Sequence, residues 1–382
     1  MSSLKCINFY SCGDSNKLTT WSNVPYLFAR ELEKRGYKLN RINIEPCPIL
    51  NRWYNRISYL VFQRILKKDA CPVFARSWMH RAIIHSKLRK IARRTDSDSC
   101  LNLFLSYLFY NKYSSRPSVL WCDWSDAIVI QRLGREVKKY EKRHLRHESA
   151  VIKAADAVFS MFPMCRSQME AMYDREIIYL GRNVINTVYD GAVDLPHIIQ
   201  ERAHSDSVLF IGNHRYLSGL QKLIDAVSVI REKGLAYHVD VIGMERSIMP
   251  SAPEWVHFHG YLDKGITAGR QEYYRLLLTA KVLVNPTAGW AGYSSIVEAM
   301  YYATPVVVYP FDDFKEEFGD AIDFGAYCGE DDNLSDAIQR VISAADYERM
   351  ASNAHTAVKD YTWSQYVDAF LSKLRKLDLI HD

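Results

Sequence analysis

Residues 282 to 308, VLVNPTAGWAGYSSIVEAMYYATPVVV, carry the side chains best placed for chemistry. An apolar strand ending at Asn285 runs through Pro286 into a small-residue loop that contains Trp290 and Gly292. Ser294 and Ser295 then cap a helix that carries Glu298, and Pro305 opens a second apolar strand. A glycine loop between strand and helix lets backbone N–H groups approach an anion at the helix N-terminus. Glu298, about one turn inside, can accept two hydroxyl hydrogen bonds of the kind a ribose offers. Together these features point to a bound nucleotide diphosphate. The plainer reading is a capped helix with an exposed glutamate.

The elements around that loop follow a regular rhythm. Ser207 to Gly212 (SVLFIG) reads as a buried strand, followed by a helix from Leu220 to Lys233 with apolar residues at 220, 223, 224, 227 and 230. Tyr237 to Gly243 and Trp255 to Gly260 are further strands, and a helix around Glu272 to Thr279 leads into the strand at 282. Strands alternating with helices imply an α/β fold with a parallel sheet covered on both faces. Ligands of such sheets sit at the carboxyl ends of the strands, where this loop lies. The first half reads similarly. Strands are expected at Lys5 to Ser11, Tyr37 to Ile44, Leu101 to Leu105, Val119 to Cys122 and Ala157 to Met161, with helices from Asn23 to Lys34 and from Arg135 to Ala154. Gly191 to Ser205 is the expected linker.

Composition narrows the partners. The 382 residues suit two domains, and 48% hydrophobic with 24% charged content is that of a globular protein. No apolar run approaches the roughly 18 residues of a membrane helix, and the N-terminus lacks the pattern of a secretion signal. Eight scattered cysteines without a C-x-x-C pair fit a reducing, cytoplasmic compartment. The net charge of +5 conceals a split: residues 1–195 carry a net +14 and residues 196–382 a net −9. Between Arg52 and Arg94 stand 12 basic residues and one acid, Asp69, interleaved with Trp53, Tyr54, Tyr59, Phe62, Phe74 and Trp78. That mixture suits an anionic membrane surface, each basic group contributing on the order of 1 kcal/mol. A solvated helix face is the plainer alternative. Nucleic acid is not expected, because no recognition module fits.

Four features in order resemble glycosyltransferase family 4: FIG-x6-G at 210–219, VHFHGYL at 256–262, NPTAGWAGYSSIVEAMYYATPVV at 285–307, and YTW at 361–363. The resemblance implies a GT-B fold of two Rossmann-like domains facing across a cleft. Residues 1–195 would form a basic, membrane-facing acceptor domain, residues 196–360 a nucleotide-sugar domain, and residues 361–382 a helix returning to the first domain. It also implies that Glu298 binds the donor ribose, and that Gly292, Ser294 and Ser295 hold its phosphates. Where the family carries an Arg and a Lys for the diphosphate, this chain has Asn213 and Ser218, and Trp290 replaces a glutamate. His214, Arg215 or Lys222 would then supply the missing cation, and Trp290 would stack on the donor sugar. Tyr261 either flanks the base or is a rim aromatic. In the first half, Asp123 matches the family's acid or histidine after that strand and is the expected catalytic group. Asp126 competes with it, or merely caps the following helix. Gly13 and Trp21, in the first strand–helix connection, are expected to line the acceptor site.

The expected activity is sugar transfer from a nucleotide sugar to a lipid-linked or cell-surface glycan, with retention, by a peripheral protein on the inner membrane face. No cofactor or metal is expected, since His238, His257 and His259 show no metal spacing with carboxylates in the sequence. Two other classes fit the same residues: a GT-B nucleotide-sugar 2-epimerase, which needs no acceptor, and a catalytically degenerate nucleotide-binding relative.

Overall fold

The structure, a computed structural model, describes residues 6–68, 71–288 and 293–381. Trp290 and Gly292 lie outside the described residues. The chain forms two compact units, one of residues 1–183 and 366–382, the other of residues 184–365.

The first unit holds a five-stranded parallel sheet: β1 (Cys6–Ser11), β2 (Lys38–Asn43), β3 (Ser99–Phe104), β4 (Ser118–Cys122) and β5 (Ala157–Ser160), in the order β2-β1-β3-β4-β5. All six residues of β1 are buried, as expected when helices cover both faces of a sheet. Tyr10 and Phe104 stack at 4.0 Å in the core beside Leu120, Val158 and Ile152. The last helix, Trp363–Lys376, enters this unit at Tyr366, whose hydroxyl accepts a 2.7 Å hydrogen bond from Trp121 Nε1. Phe370 packs there against Phe28 and Phe159. One expected helix is shorter. It spans Lys142–Ala154, because the Glu141 carboxylate takes two bonds from Arg135 and one from the Lys138 N–H, holding 135–141 as a loop.

The second unit holds a six-stranded parallel sheet: β6 (Ser207–Ile211), β7 (His238–Ile242), β8 (Val256–Phe258), β9 (Val282–Asn285), β10 (Val306–Val308) and β11 (Gly325–Tyr327). Their order is β11-β10-β9-β6-β7-β8, so the chain changes direction of winding between β6 and β9. Such a switch point opens a crevice at the carboxyl ends of the two strands. The segment expected as a linker contains a helix instead, Leu195–Ala203, capped by Asp194. Its Arg202 is buried and donates to the carbonyls of Tyr302, Leu277 and Leu278. The helix also lays Leu195, Ile199 and Ala203, spaced four residues apart, against Ala303, Tyr347 and Ala351. Strand pairing also sets Asp240 of β7 opposite His257 of β8, closing a distance that the linear sequence leaves open.

Among the described residues, no helix is long and apolar enough to cross a membrane.

Candidate active site

The two glycine-bearing motifs of the second unit meet at its switch point. Strand β6 ends at Ile211 and leads through Gly212 and Asn213 into the helix Leu217–Glu232; β9 ends at Asn285 and leads to Pro286 and Thr287. Gly219, in the first turn of that helix, packs against Thr287: a Cβ at 219 would fall 2.2 Å from Thr287 Oγ1. Only glycine allows this approach. Thr287 Oγ1 is buried and, among the described residues, has no hydrogen-bond partner.

Glu298 lies on the helix Tyr293–Tyr301 that follows the loop. It is buried, and both carboxylate oxygens are engaged. Lys264 Nζ stands 3.0 Å from Oε2 and 3.2 Å from Oε1. Tyr273 OH donates to Oε2 at 2.9 Å and Tyr274 OH to Oε1 at 3.0 Å. A carboxylate offers about four lone-pair directions, so this set nearly fills it. Burial, and then the Glu298 charge, raise the Tyr273 phenol well above its ordinary value, which keeps it a donor. Lys264 also reaches the Asn186 carbonyl at 3.4 Å, and Asn186 Nδ2 donates to Ser294 Oγ at 2.9 Å. Because the helix already runs from Tyr293, Ser294 and Ser295 occupy its first turn.

The other expected donor residues sit on the surface. Asn213 is exposed, and its Oδ1 accepts the Arg215 N–H at 3.0 Å, capping the short turn His214–Tyr216. Arg215 and Lys222 are exposed, and Tyr261 stands in solvent after β8. Lys264, Tyr273 and Tyr274 were not anticipated. The adjacent tyrosines of the QEYYRLLL helix are the one trace of them in the sequence.

In the first unit, Asp123 follows β4 at its carboxyl end. Its Oδ1 accepts the Trp124 N–H at 2.7 Å, and burial raises its carboxyl above the ordinary value. The Trp21 indole acts on it as a hydrogen-bond donor, so the structure joins an expected acceptor residue to the expected acid. Trp21, Ser22 and Asn23 have φ of 40°, 52° and 71°, a run of left-handed residues that holds the indole 5.7 Å from the Trp121 ring. Such conformations cost on the order of 1–3 kcal/mol each. Gly13 is buried at φ 104°, and its N–H donates to Asn43 Oδ1 at 3.0 Å, bracing the same connection.

Asp126 is occupied differently. Its Oδ1 receives Arg76 Nη2 at 2.7 Å, and its Oδ2 lies 2.6 Å from His144 Nε2. Burial opposes its charge, but the His144 hydrogen bond and the Arg76 guanidinium outweigh it and hold the carboxyl below its ordinary value. The helix cap is Ser125. Glu148 accepts the N–H groups of Asp126 and Ala127, and burial beside Asp126 raises its carboxyl to about 7.

Residues 205–344 match the family described as Glycosyl transferases group 1. Sucrose-phosphate synthase from Thermosynechococcus elongatus superposes with a TM-score of 0.70 at 14% identity, covering 98% of this chain and 99% of that one. WaaG, a glycosyltransferase involved in lipopolysaccharide biosynthesis, gives 0.60 at 13% identity over 96% and 98%. Anabaena Alr3699/HepE in complex with UDP-glucose gives 0.61 at 14% identity over 97% and 100%. The fold is that of GT-B glycosyltransferases. The resemblance carried by the sequence motifs is thus borne out, in fold over the chain and in family over residues 205–344. Compared with curated proteins, the chain matches none in sequence.

Proposed function

We propose that this GT-B protein transfers a sugar, with retention, from a nucleotide-diphosphate donor to a lipid-linked or cell-surface glycan at the inner face of a membrane. The observation that carries the reading is the switch point of the second unit. There Gly219 and Thr287 bring two family motifs together, and the second of these motifs carries the Glu298 helix. Sugar transfer needs the departing diphosphate stabilised, and a helix N-terminus with a cation supplies this without a metal. Lys264 is the cation paired with Glu298, and moving from it to the diphosphate would free the carboxylate for the ribose diol. In the first unit, Asp123 would orient the acceptor hydroxyl or take its proton, its raised carboxyl suiting either role.

The membrane part rests on exposed side chains. Ile49, Trp53 and Ile57 share one face of the helix Pro48–Tyr59, and Leu60, Ile65 and Leu66 continue the exposed apolar surface. Arg52, Arg56 and Arg64 accompany them. A nucleotide-sugar epimerase has no use for such a face. A binding protein without turnover is the second reading, favoured by the nearly filled Glu298 carboxylate.

The test is nucleoside diphosphate release from UDP-glucose, the molecule in complex with HepE, and from other common nucleotide sugars, with lipid-linked glycan extracts as acceptor. Asp123→Asn is expected to lower the rate about 100-fold or more while leaving donor binding intact. Acceptor-dependent release that is unchanged in Asp123→Asn would remove that residue from the chemistry. Binding with no release from any donor would favour the second reading.

A further inference from the structure

We propose that His238, Asp240 and His257 form a binding site for a divalent transition-metal ion of the zinc class on the β7–β8 edge of the second unit. His238 and Asp240 are two residues apart on β7 and so point to one face, and Asp240 is paired directly with His257 on β8. His238 Nε2 lies 3.0 Å from Asp240 Oδ2, and His257 Nδ1 lies 3.6 Å from Asp240 Oδ1. The three ligand atoms all fall within 4.8 Å of one another. Ligands about 2.0–2.2 Å from a tetrahedral zinc stand roughly 3.3–3.5 Å apart. The cluster therefore needs only a small closure, with His257 half exposed and its ring 5.0 Å from that of His238.

The surroundings have the character of a metal site's outer shell. A metal-binding histidine commonly gives its other ring nitrogen to a carboxylate, and the ligating carboxylate is itself hydrogen-bonded. His238 Nδ1 is 3.4 Å from Asp206 Oδ1, and its Nε2, which now shares a hydrogen bond with Asp240 Oδ2, is the atom an ion would take. Asp240 Oδ2 accepts Ser207 Oγ at 2.6 Å, and Oδ1 lies 2.7 Å from His259 Nε2. His259 is in turn 3.6 Å from Glu272. Asp206 and Asp240 bring two negative charges to a cavity of about 340 Å³, whose one lining guanidinium, Arg275, is already paired with Glu272 at 2.7 Å. A divalent cation matches the remaining charge.

The position separates this site from the donor loops. His238 is the first residue of β7, whereas ligands of the sheet gather at the carboxyl ends. Strand β8 is three residues long and lies at the sheet edge, so an ion shared by β7 and β8 would hold it in place.

The experiment is a calorimetric titration of Zn²⁺ into the EDTA-stripped 382-residue chain, repeated with His257→Gln and His238→Gln. One saturable equivalent is expected for the wild type, with affinity at least 10-fold weaker in each variant and a Zn²⁺-dependent rise in thermal midpoint that both variants lose. Because His257 is half exposed, that variant is expected to fold even if His238→Gln does not. The Co²⁺ form should show a visible spectrum without thiolate-to-metal charge transfer, which separates this site from the exposed Cys12 and Cys47. Absence of saturable binding, a thiolate spectrum, or equal affinity in His257→Gln would overturn the proposal.

Discussion

Lys264 Nζ lies within 3.2 Å of both carboxylate oxygens of Glu298, behind the hydroxyls of Tyr273 and Tyr274. Glu298 is buried and Lys264 half-buried, so removing the lysine alone would strand a buried carboxylate, which costs about 3–5 kcal/mol. Lys264→Met is therefore expected to destabilise the protein by about 3 kcal/mol. Adding Glu298→Gln should recover part of that loss, because it removes the stranded charge. Urea unfolding of the wild type, both single variants and the double variant measures the coupling. Additive effects would mean that the two groups do not act as a pair.

Glu148 should make stability depend on pH. Its carboxyl titrates near 7 in the folded protein, against an ordinary value of 4.5. Between these values the unfolded chain loses the proton while the folded protein keeps it. The unfolded state then binds fewer protons, so stability falls as pH rises through this window and levels off above about 7. The contribution is at most about 3 kcal/mol. Glu148→Gln should flatten the profile between pH 4.5 and 7 in denaturation curves. A variant profile parallel to the wild type would assign the dependence to other groups.

What the sequence made legible, and what it did not, follows from where each signal resides. Strands such as SVLFI and VLVN are continuous apolar runs, and their order with the intervening helices sufficed for the α/β architecture. Glu298 stood out because strand, glycine loop and helix are consecutive in the chain. Its partners did not, since Lys264, Tyr273 and Tyr274 reach it across 24 to 34 residues from a different loop and helix. The His238–Asp240–His257 cluster depends on strand register, which no local pattern reveals. Asp126 can be read from the sequence as a second candidate acid or as a helix cap; Ser125 caps the helix, and Asp126 is taken up by Arg76 and His144.

The exposed apolar and basic surface between Ile49 and Arg94 should bind anionic bilayers. Vesicles containing phosphatidylserine are expected to retain the protein at low salt and to release it as ionic strength rises. Replacing Arg52, Arg56 and Arg64 with Gln should weaken retention by about 3 kcal/mol in sum, and Trp53→Ser should weaken it further. Equal retention by purely zwitterionic vesicles would contradict an electrostatic contribution.

A donor site at the β6–β9 switch point should bind a nucleotide through Glu298. Thermal unfolding of the wild type and Glu298→Gln should be followed with UDP, GDP, ADP, CMP and dTDP and their common sugar conjugates. A ligand at about 100 times its dissociation constant stabilises the folded state by about 2.7 kcal/mol. One nucleotide is expected to stabilise the wild type, and Glu298→Gln to lose most of that stabilisation. Silence across the panel, or full stabilisation of Glu298→Gln, would contradict Glu298 as the ligand of a donor nucleotide.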